Sequence, residues 1–327
     1  MNTHGSTSES PARKRSLLDK LKARKPSKGK GATAFRIEPR SADLLAGIKL
    51  GMGGLQKPAP KMEQRPEAAV RTEGDVTVFP PPEGFSGVVA EIFTDPFMQQ
   101  KVRVAVHDAR NEAKDVLTHG FELVEHPEIM DEFSRADFLE SERVGAYHER
   151  LCAFVKAKLG AKTVICYSHK VRLSPEVDYA AGKSGYAGMI HADYSASLAL
   201  RNVGDALEEK GLPPWDPAAA GARCQIMNVW RNISETPIMN NSLAACDATS
   251  VAADDIGGFA APTLQSTAHH RWCYFSRMER HEALLFVHWD SAWARHRPTF
   301  HSSFADPSAP ADAPHRESIE SRLLIVH

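Results

Sequence analysis

A histidine and an aspartate two residues apart, His191-Ala-Asp193, have the spacing in this sequence that best suits metal chemistry. Alternate residues of an extended chain point to the same face, so the imidazole and the carboxylate lie side by side. With a second histidine from elsewhere they form a 2-His-1-carboxylate triad, which holds iron(II) and leaves coordination positions open. A structural His–Asp hydrogen bond has the same spacing, and with 15 histidines in the chain the pair alone does not establish a metal site.

A second group of chemically suited residues lies downstream, where His301 is followed by Arg316-Glu-Ser318. The arginine and the serine are two residues apart, so on a strand they share a face. The guanidinium can bind a carboxylate with two hydrogen bonds, and the hydroxyl adds a third donor. A histidine–aspartate pair, a distal histidine and this basic pair, in that order, fit a site for iron and 2-oxoglutarate. His288 and His296 remain alternatives to His301 as the distal ligand.

The composition is that of an ordinary water-exposed globular protein. The chain has 327 residues, of which 42% are hydrophobic and 25% charged, and no apolar run is long enough for a membrane span. This length accommodates one domain of about 200 to 270 residues and a tail. The five cysteines form no CxxC pair, which argues against a disulfide framework and favours a reducing, cytoplasmic location.

Charge is unevenly distributed along the chain. The first 30 residues contain nine Lys or Arg against Glu9 and Asp19, a net +7, so the rest carries −8 of the total −1. We interpret residues 1–75 as a disordered basic tail and linker and residues 76–327 as the folded domain. A nucleic-acid partner would depend on residues 13–30 alone and is not expected. A mitochondrial presequence is the other alternative for the tail, and Asp19 argues against it.

Hydrophobic spacing predicts an α+β protein. Apolar positions between Asp137 and Leu159 follow a helical period, and Gly160 is placed to end that helix. Val102–Val106 and Gly120–Val124 alternate like strands. Six short strands with turn-forming residues between them follow, which predicts a β-sandwich or open barrel in the second half: Thr163–Arg172, Gly188–Asp193, Cys224–Trp230, His270–Phe275, Ala283–Trp289 and Ser318–Val326.

The sequence from about Val102 to the C-terminus resembles the AsaB/CmcJ-like hydroxylase/desaturase family of iron(II)/2-oxoglutarate oxygenases. Six blocks in order carry the resemblance: Val171-Arg-Leu-Ser-Pro175, His191-Ala-Asp-Tyr-Ser195, Gln225-Ile-Met-Asn-Val-Trp-Arg231, His270-Arg-Trp-Cys-Tyr-Phe-Ser-Arg-Met278, Glu282-Ala-Leu-Leu-Phe286 with Asp290-Ser291, and Pro314-His-Arg-Glu-Ser-Ile-Glu320. The sequence around His301 departs from the family pattern, because Phe300 precedes the histidine and two serines follow it. The resemblance implies a double-stranded β-helix, also called a jelly roll or cupin-like core, with supporting helices from the N-terminal half.

The resemblance also implies the cofactors and the reaction. Iron(II) is expected on His191, Asp193 and His301, and the far carboxylate of 2-oxoglutarate on Arg316 and Ser318. Asn228 and Arg172 are further candidates for the co-substrate pocket, although structural pairing is an alternative for Arg172. With O2, and with ascorbate as a candidate reductant, such a protein oxidises an unactivated C–H bond of a small molecule, typically in secondary metabolism.

Two matters stay open at the level of the sequence. A non-catalytic accessory partner of a biosynthetic enzyme on the same fold is the alternative function, although the retained ligand and anchor residues favour activity. The oligomeric state, monomer or homodimer, does not follow from the sequence. The loops expected to shape the substrate pocket are 182–187, 204–221 and 291–296.

Overall fold

The computed structural model describes residues 71–73, 76–79, 81–94, 100–174, 185–257, 262–264 and 269–327. Almost all of the expected basic tail and part of the loop at 182–187 lie outside these residues. The described chain forms three helices, α1 (Glu128–Glu132), α2 (Ser141–Leu159) and α3 (Ala196–Glu209). Its strands are β1 (Arg71–Glu73), β2 (Val76–Val78), β3 (Gly87–Phe93), β4 (Lys101–Asp108), β5 (Phe121–Glu125), β6 (Thr163–Arg172), β7 (Cys224–Asn232), β8 (Leu243–Cys246), β9 (Ile256–Gly257), β10 (Thr263–Leu264), β11 (Trp272–Tyr274), β12 (Glu282–Asp290), β13 (His301–Ser303) and β14 (Ser318–Val326).

Two sheets make up most of the fold. One has five antiparallel strands in the order β5-β12-β7-β14-β6. The other has seven strands, with β1-β2-β4-β11-β8-β13 in line and β3 paired to β4. All neighbours in the five-stranded sheet and most in the seven-stranded sheet are non-sequential, as a jelly roll requires, and the fold predicted from the sequence is confirmed.

The two sheets face each other, and their inner faces share one apolar cluster. Trp230 and Phe286 come from the five-stranded sheet, and Ala245 and Cys273 come from the seven-stranded sheet. Polar side chains on the inner face of β7 and β14 therefore point into the space between the sheets. That space is where a jelly roll places its site.

Helix α2 covers the outer face of the five-stranded sheet. Tyr147, Leu151 and Val155, which follow the helical period, are fully buried against the outward residues of β7, β12 and β14. Gly160 ends the helix with φ 61°, in the left-handed region that favours glycine. The prediction for this helix is confirmed, with its first turn at Ser141.

Two local predictions were wrong. Residues Gly188–Asp193 do not form a strand; the segment makes isolated bridges from Met189 to Phe93 and from His191 to His301. Residues 204–221 are not one loop, because α3 runs through Gly204 to Glu209. This helix follows Asp193 directly and packs its apolar side on Ile226, Trp289 and Leu324. Helices therefore come from both halves of the chain.

Strand bounds elsewhere follow the hydrophobic pattern closely. Residues Thr163–Arg172 and Ser318–Val326 are strands over the whole predicted length, and β12 exceeds its prediction by one residue at each end. All five cysteines are free thiols, three of them buried.

Candidate metal and co-substrate site

His191, Asp193 and His301 converge at one end of the space between the sheets. One ligand atom from each lies within 4.8 Å of the other two. His301 begins β13, and its backbone forms a two-way bridge with His191, the amide nitrogens lying 2.9 and 3.2 Å from the opposite carbonyls. This bridge places the two rings 4.3 Å apart, centroid to centroid. A pair separated by 110 residues is thus held as rigidly as neighbours on a sheet.

Each histidine of this triad is oriented by the nitrogen that faces away from the cluster. Nδ1 of His191 lies 2.7 Å from the carbonyl of Met189, and Nδ1 of His301 lies 3.3 Å from the carbonyl of Thr299. A carbonyl accepts only, so both rings carry their proton on Nδ1 and present a bare Nε2. Metal-binding histidines are held in this way in most proteins.

The protonation of two members of the triad, Asp193 and His301, suits a cation. For His191, burial lowers the pKa, but the hydrogen bond and the charge of Asp193 raise it above its usual value. Burial opposes ionisation of Asp193, but His288, His191, His301 and Arg322 together hold its pKa well below the usual range. Burial and the neighbouring His191 lower the pKa of His301 well below its usual range. A metal binds a carboxylate and neutral imidazoles, so little proton release opposes binding at these two residues.

The two oxygens of Asp193 have different surroundings. Oδ1 faces the histidines, 3.5 Å from Nε2 of His191 and 3.8 Å from Nε2 of His301. Oδ2 accepts from Asn228 Nδ2 at 2.9 Å and from the Arg322 guanidinium at 3.1 and 3.2 Å. Only Oδ1 is therefore directed at the place where a cation would sit.

The alternative distal histidines lie outside this cluster. Nε2 of His296 is 2.9 Å from the carbonyl of Tyr194, which occupies the nitrogen a metal would need. Nε2 of His288 approaches Asp193 at Oδ2, the anchored oxygen, at 3.7 Å. Neither ring nitrogen of this fully buried histidine has a hydrogen-bond partner. The geometry favours His301.

Arg316 and Ser318 lie together and have unused donors. Both are buried, with 2% and 1% of their surface exposed. The guanidinium stacks on Tyr186 at 4.1 Å and on Trp230 at 5.2 Å, and it donates one bond to the carbonyl of Asn241. Nε of Arg316 and Oγ of Ser318 have no partner, and no described carboxylate pairs with the arginine. Burial lowers its pKa to about 9.

A buried cation without a counter-ion is costly, so this place fits a bound carboxylate. The same arrangement suits 2-oxoglutarate, because the free Nε of the desolvated arginine and the desolvated serine hydroxyl can both donate to a carboxylate. The residues present therefore fit the dicarboxylate as well as they fit the metal.

The other two predicted co-substrate residues are also near the site. Arg172 lies opposite Ser318 in the β6–β14 register and bonds the carbonyl of Gly185. Asn228 lies on the inner face of β7 with Trp230, as expected, but its amide donates to Asp193 and, at 3.2 Å, to Glu320. Arg231 points to the other face, towards Tyr147, as the strand period predicts.

A second His–Asp cluster, Asp255 with His269 and His270, has a different character. Both Nε2 atoms contact the same carboxylate oxygen, at 2.8 and 3.0 Å. Nδ1 of the buried His270 has no partner, in contrast to both histidines of the triad. The orientation typical of a metal ligand is therefore missing, and a hydrogen-bonded group accounts for this cluster.

Two functional residues were not identified from the sequence, Glu320 and Arg322. They follow Ser318 at intervals of two on β14, so they share its face. The sequence shows that spacing, but it does not show that Glu320 and Arg322 lie near Asp193. Their position near Asp193 depends on how the chain before α3 packs against β14.

Relatives of this chain are known among fungal oxygenases. It is 28% identical over 239 residues to the Fe(II)/2-oxoglutarate-dependent dioxygenase nvfI of Aspergillus novofumigatus, covering 68% of this chain and 82% of that protein. It is 28% identical over 242 residues to the hydroxylase/desaturase CTB9 of Cercospora beticola, covering 64% and 70%. The solved structure of the iron and alpha-ketoglutarate-dependent endoperoxidase NvfI superposes with a TM-score of 0.59 at 25% identity, over 73% of this chain and 96% of that one.

These relatives and the fold confirm the class expected from the sequence, the iron(II)- and 2-oxoglutarate-dependent oxygenases. The chain belongs to the family described as the oxidoreductase/YMDC permease-like domain, whose model matches residues 85–326. Within the described part of the chain, no helix has both the length and the apolar character needed to cross a membrane.

Proposed function

We propose that His191, Asp193 and His301 hold the iron of this oxygenase, and that Arg316 and Ser318 bind the far carboxylate of 2-oxoglutarate. The observation that carries the proposal is that two neighbouring sets of polar atoms are available to a ligand, one set suited to a metal ion and the other suited to a carboxylate. The triad presents two bare imidazole nitrogens and one free carboxylate oxygen. The neighbouring arginine and serine present buried donors without an acceptor.

Each residue then has a defined task. The carbonyls behind His191 and His301 fix both ring orientations. Asn228 acts through Asp193, since its amide hydrogens are both used on carboxylates. Arg172, beside Ser318, remains the proposed further contact for the co-substrate. Trp230 and Tyr186 flank the arginine and exclude water, which strengthens its attraction for a carboxylate.

When bound, iron and 2-oxoglutarate supply the oxidising power for attack on an unactivated C–H bond. We propose a small molecule as the substrate, of the kind that fungal relatives oxidise in hydroxylation, desaturation or endoperoxide formation. We propose further that the enzyme acts in the cytoplasm, as a monomer or homodimer, and that residues 1–75, apart from the short strand β1, form a tail and linker outside the catalytic domain. Ascorbate remains a candidate reductant.

The test is anaerobic titration of the full chain with iron(II) and 2-oxoglutarate, followed by visible absorption. We expect the weak charge-transfer band of the chelate, because both reagents should bind at one site. His191→Ala should abolish the band. Arg316→Ala should raise the concentration of 2-oxoglutarate needed by about 10- to 100-fold, because the charge-assisted pair contributes about 1.5–3 kcal/mol.

A matched control is Arg110→Lys, which alters the partly buried ion pair between Arg110 and Glu282, the first residue of β12; neither residue belongs to the triad. It should leave the band unchanged. A band that persists in His191→Ala would contradict the metal assignment. An accessory, non-catalytic role would be supported if the chelate forms but no substrate from a panel of small molecules increases succinate release.

A further inference from the structure

A buried polar group lies directly behind Asp193, on the side away from the histidines. It consists of Asn228 on β7 and of Glu320 and Arg322 on β14. Glu320 is 5% exposed and Asn228 is fully buried. Such a set of charges between two sheets is costly to desolvate, so its presence calls for a physical reason.

The donors in this group saturate one oxygen of Asp193. Asn228 and both nitrogens of the Arg322 fork bond Oδ2, at 2.9 to 3.2 Å. A carboxylate oxygen accepts about two good hydrogen bonds, so Oδ2 has little capacity left for a further partner. The carboxylate plane is thereby fixed, with Oδ1 directed at the two imidazoles.

Arg322 by itself would work against metal binding. Its positive charge lies 3.1 Å from the Asp193 carboxylate and would compete with a cation for it. Glu320 is 2.9 Å from the same guanidinium, and its negative charge offsets the positive charge of Arg322. It also accepts from Asn228 at 3.2 Å, which holds the amide between the two carboxylates. Two anions and one cation leave the group with net negative charge beside the triad.

We propose that Glu320 and Arg322 are positioning residues for the metal centre: Arg322 orients Asp193, and Glu320 offsets the charge of Arg322 so that Asp193 stays available to the cation. This inference rests on the proposed role of Asp193 as a ligand. It assigns no chemistry to Glu320 itself, which touches neither imidazole of the triad in the described contacts.

The experiment is titration of metal-free full-length protein with Co(II), followed by its visible absorption, for five variants, of which His191→Ala tests the metal site itself. Glu320→Gln keeps the shape and the hydrogen-bonding oxygen but removes the charge. We expect it to bind Co(II) about 10- to 100-fold more weakly, the range found when groups that support metal ligands are removed. Glu320→Asp, which keeps the charge, should bind within about threefold of the unsubstituted protein.

The double variant Glu320→Gln/Arg322→Gln removes both charges. If Glu320 acts by offsetting Arg322, the double variant should bind Co(II) at least about threefold more tightly than Glu320→Gln, and within about tenfold of the unsubstituted protein. A merely structural role predicts the opposite order, with the double variant the weaker. The control Glu282→Gln removes a buried carboxylate paired to Arg110 on β12 and should leave Co(II) affinity unchanged.

The outcomes separate this inference from the proposed function. If the unsubstituted protein binds no Co(II), or His191→Ala binds it equally well, the metal site itself is wrongly assigned. If that site is sound but Glu320→Gln binds as tightly as the unsubstituted protein, the positioning role is overturned. If circular dichroism shows that Glu320→Gln does not fold, the double variant decides. A Co(II) affinity of the double variant more than about tenfold below that of the unsubstituted protein would overturn the proposal.

Discussion

At the scale of single residues, the site is defined by which polar atoms have partners. His191 and His301 use Nδ1 on backbone carbonyls, so Nε2 is available to a metal. His288 lies next to this cluster, but neither of its ring nitrogens is bonded, and its ring centroid is 5.2 Å from that of Phe286 and 5.5 Å from that of His301. Three nearby histidines are thus distinguished by their hydrogen bonds rather than by their position in the sequence.

The role of His288 can be tested by His288→Phe. The ring is surrounded by aromatic groups, and the change removes two buried atoms that lack partners. We therefore expect Co(II) affinity within about threefold of the unsubstituted protein, and a free energy of unfolding that is unchanged or raised by about 1 kcal/mol. Co(II) titration and urea unfolding measure the two quantities. His301→Phe, the matched comparison, should abolish binding; loss of binding in His288→Phe instead would make His288 the distal ligand.

At the scale of elements, short contacts between segments hold the ligands. A β-bulge in β12 between Val287 and Trp289 takes His288 out of the ladder and turns it towards the site. Gly120, with φ 89°, precedes β5 and accepts a hydrogen bond from the Thr299 hydroxyl at 2.7 Å. Thr299 in turn orients His301 through its carbonyl. The loop before β5 therefore supports His301, the proposed metal ligand on the other sheet.

Gly120→Ala tests this support. A Cβ there would lie 2.6 Å from the Thr299 hydroxyl oxygen, and the backbone angle is one that alanine rarely adopts. We expect a loss of about 1–3 kcal/mol in the free energy of unfolding, together with weaker Co(II) binding. Gly160→Ala is the control, since its Cβ would meet open space at a similar positive φ. It should reduce stability without changing metal affinity, and an equal loss of affinity in both variants would refute the link to Thr299.

At the scale of the whole molecule, burial of histidines couples folding to pH. His126 is 5% exposed, stacks on Phe154 and contacts the Arg231 guanidinium at 3.1 Å through Nδ1. Burial and the arginine lower its pKa to about 4. In the unfolded chain His126 binds a proton below about pH 6.5, whereas in the folded chain it stays neutral down to about pH 4. Stability should therefore fall as the pH drops from about 6.5 to about 4.

His126→Gln should flatten this dependence, because glutamine keeps an acceptor for Arg231 and does not titrate. The histidine contributes up to about 1.4 kcal/mol per pH unit within that window. Urea unfolding at several pH values between 4 and 8 measures the slope. The variant and the unsubstituted protein should differ least at pH 8, where the histidine is neutral in both states; parallel curves throughout would contradict the prediction.

The extent of the catalytic unit can be tested at the same scale. The family match covers residues 85–326, and the contacts that build the site all come from residues after 85. Deletion of residues 1–35 should therefore leave the 2-oxoglutarate chelate band and Co(II) affinity unchanged. A large loss in either measurement would assign the basic segment a part in the site.

The sequence by itself determined the fold class and the class of enzyme, and it predicted the residues of the triad and of the carboxylate anchor. The spacing of two residues, which places side chains on one face of a strand, selected His191 with Asp193 and Arg316 with Ser318, although the first pair lies outside the strands of the described chain. It also predicted β6, β14 and helix α2 closely, since their apolar periods are long and regular.

Only the tertiary structure brought one of the three candidate histidines into the cluster with His191 and Asp193, and only it showed what stands behind Asp193. The three histidines differ in their hydrogen bonds: Nδ1 of His301 faces the Thr299 carbonyl, Nε2 of His296 faces the Tyr194 carbonyl, and neither ring nitrogen of His288 has a partner. Helix α3 was missed because Gly204 lies inside it, and glycine disfavours a helix; packing of its apolar side on β7, β12 and β14 offsets that local preference. The contact of Arg322 with Asp193 likewise exists only in the folded chain, because 129 residues separate the two positions that the hydrogen bond joins. Glu320 belongs to the same group through its bonds with Arg322 and Asn228.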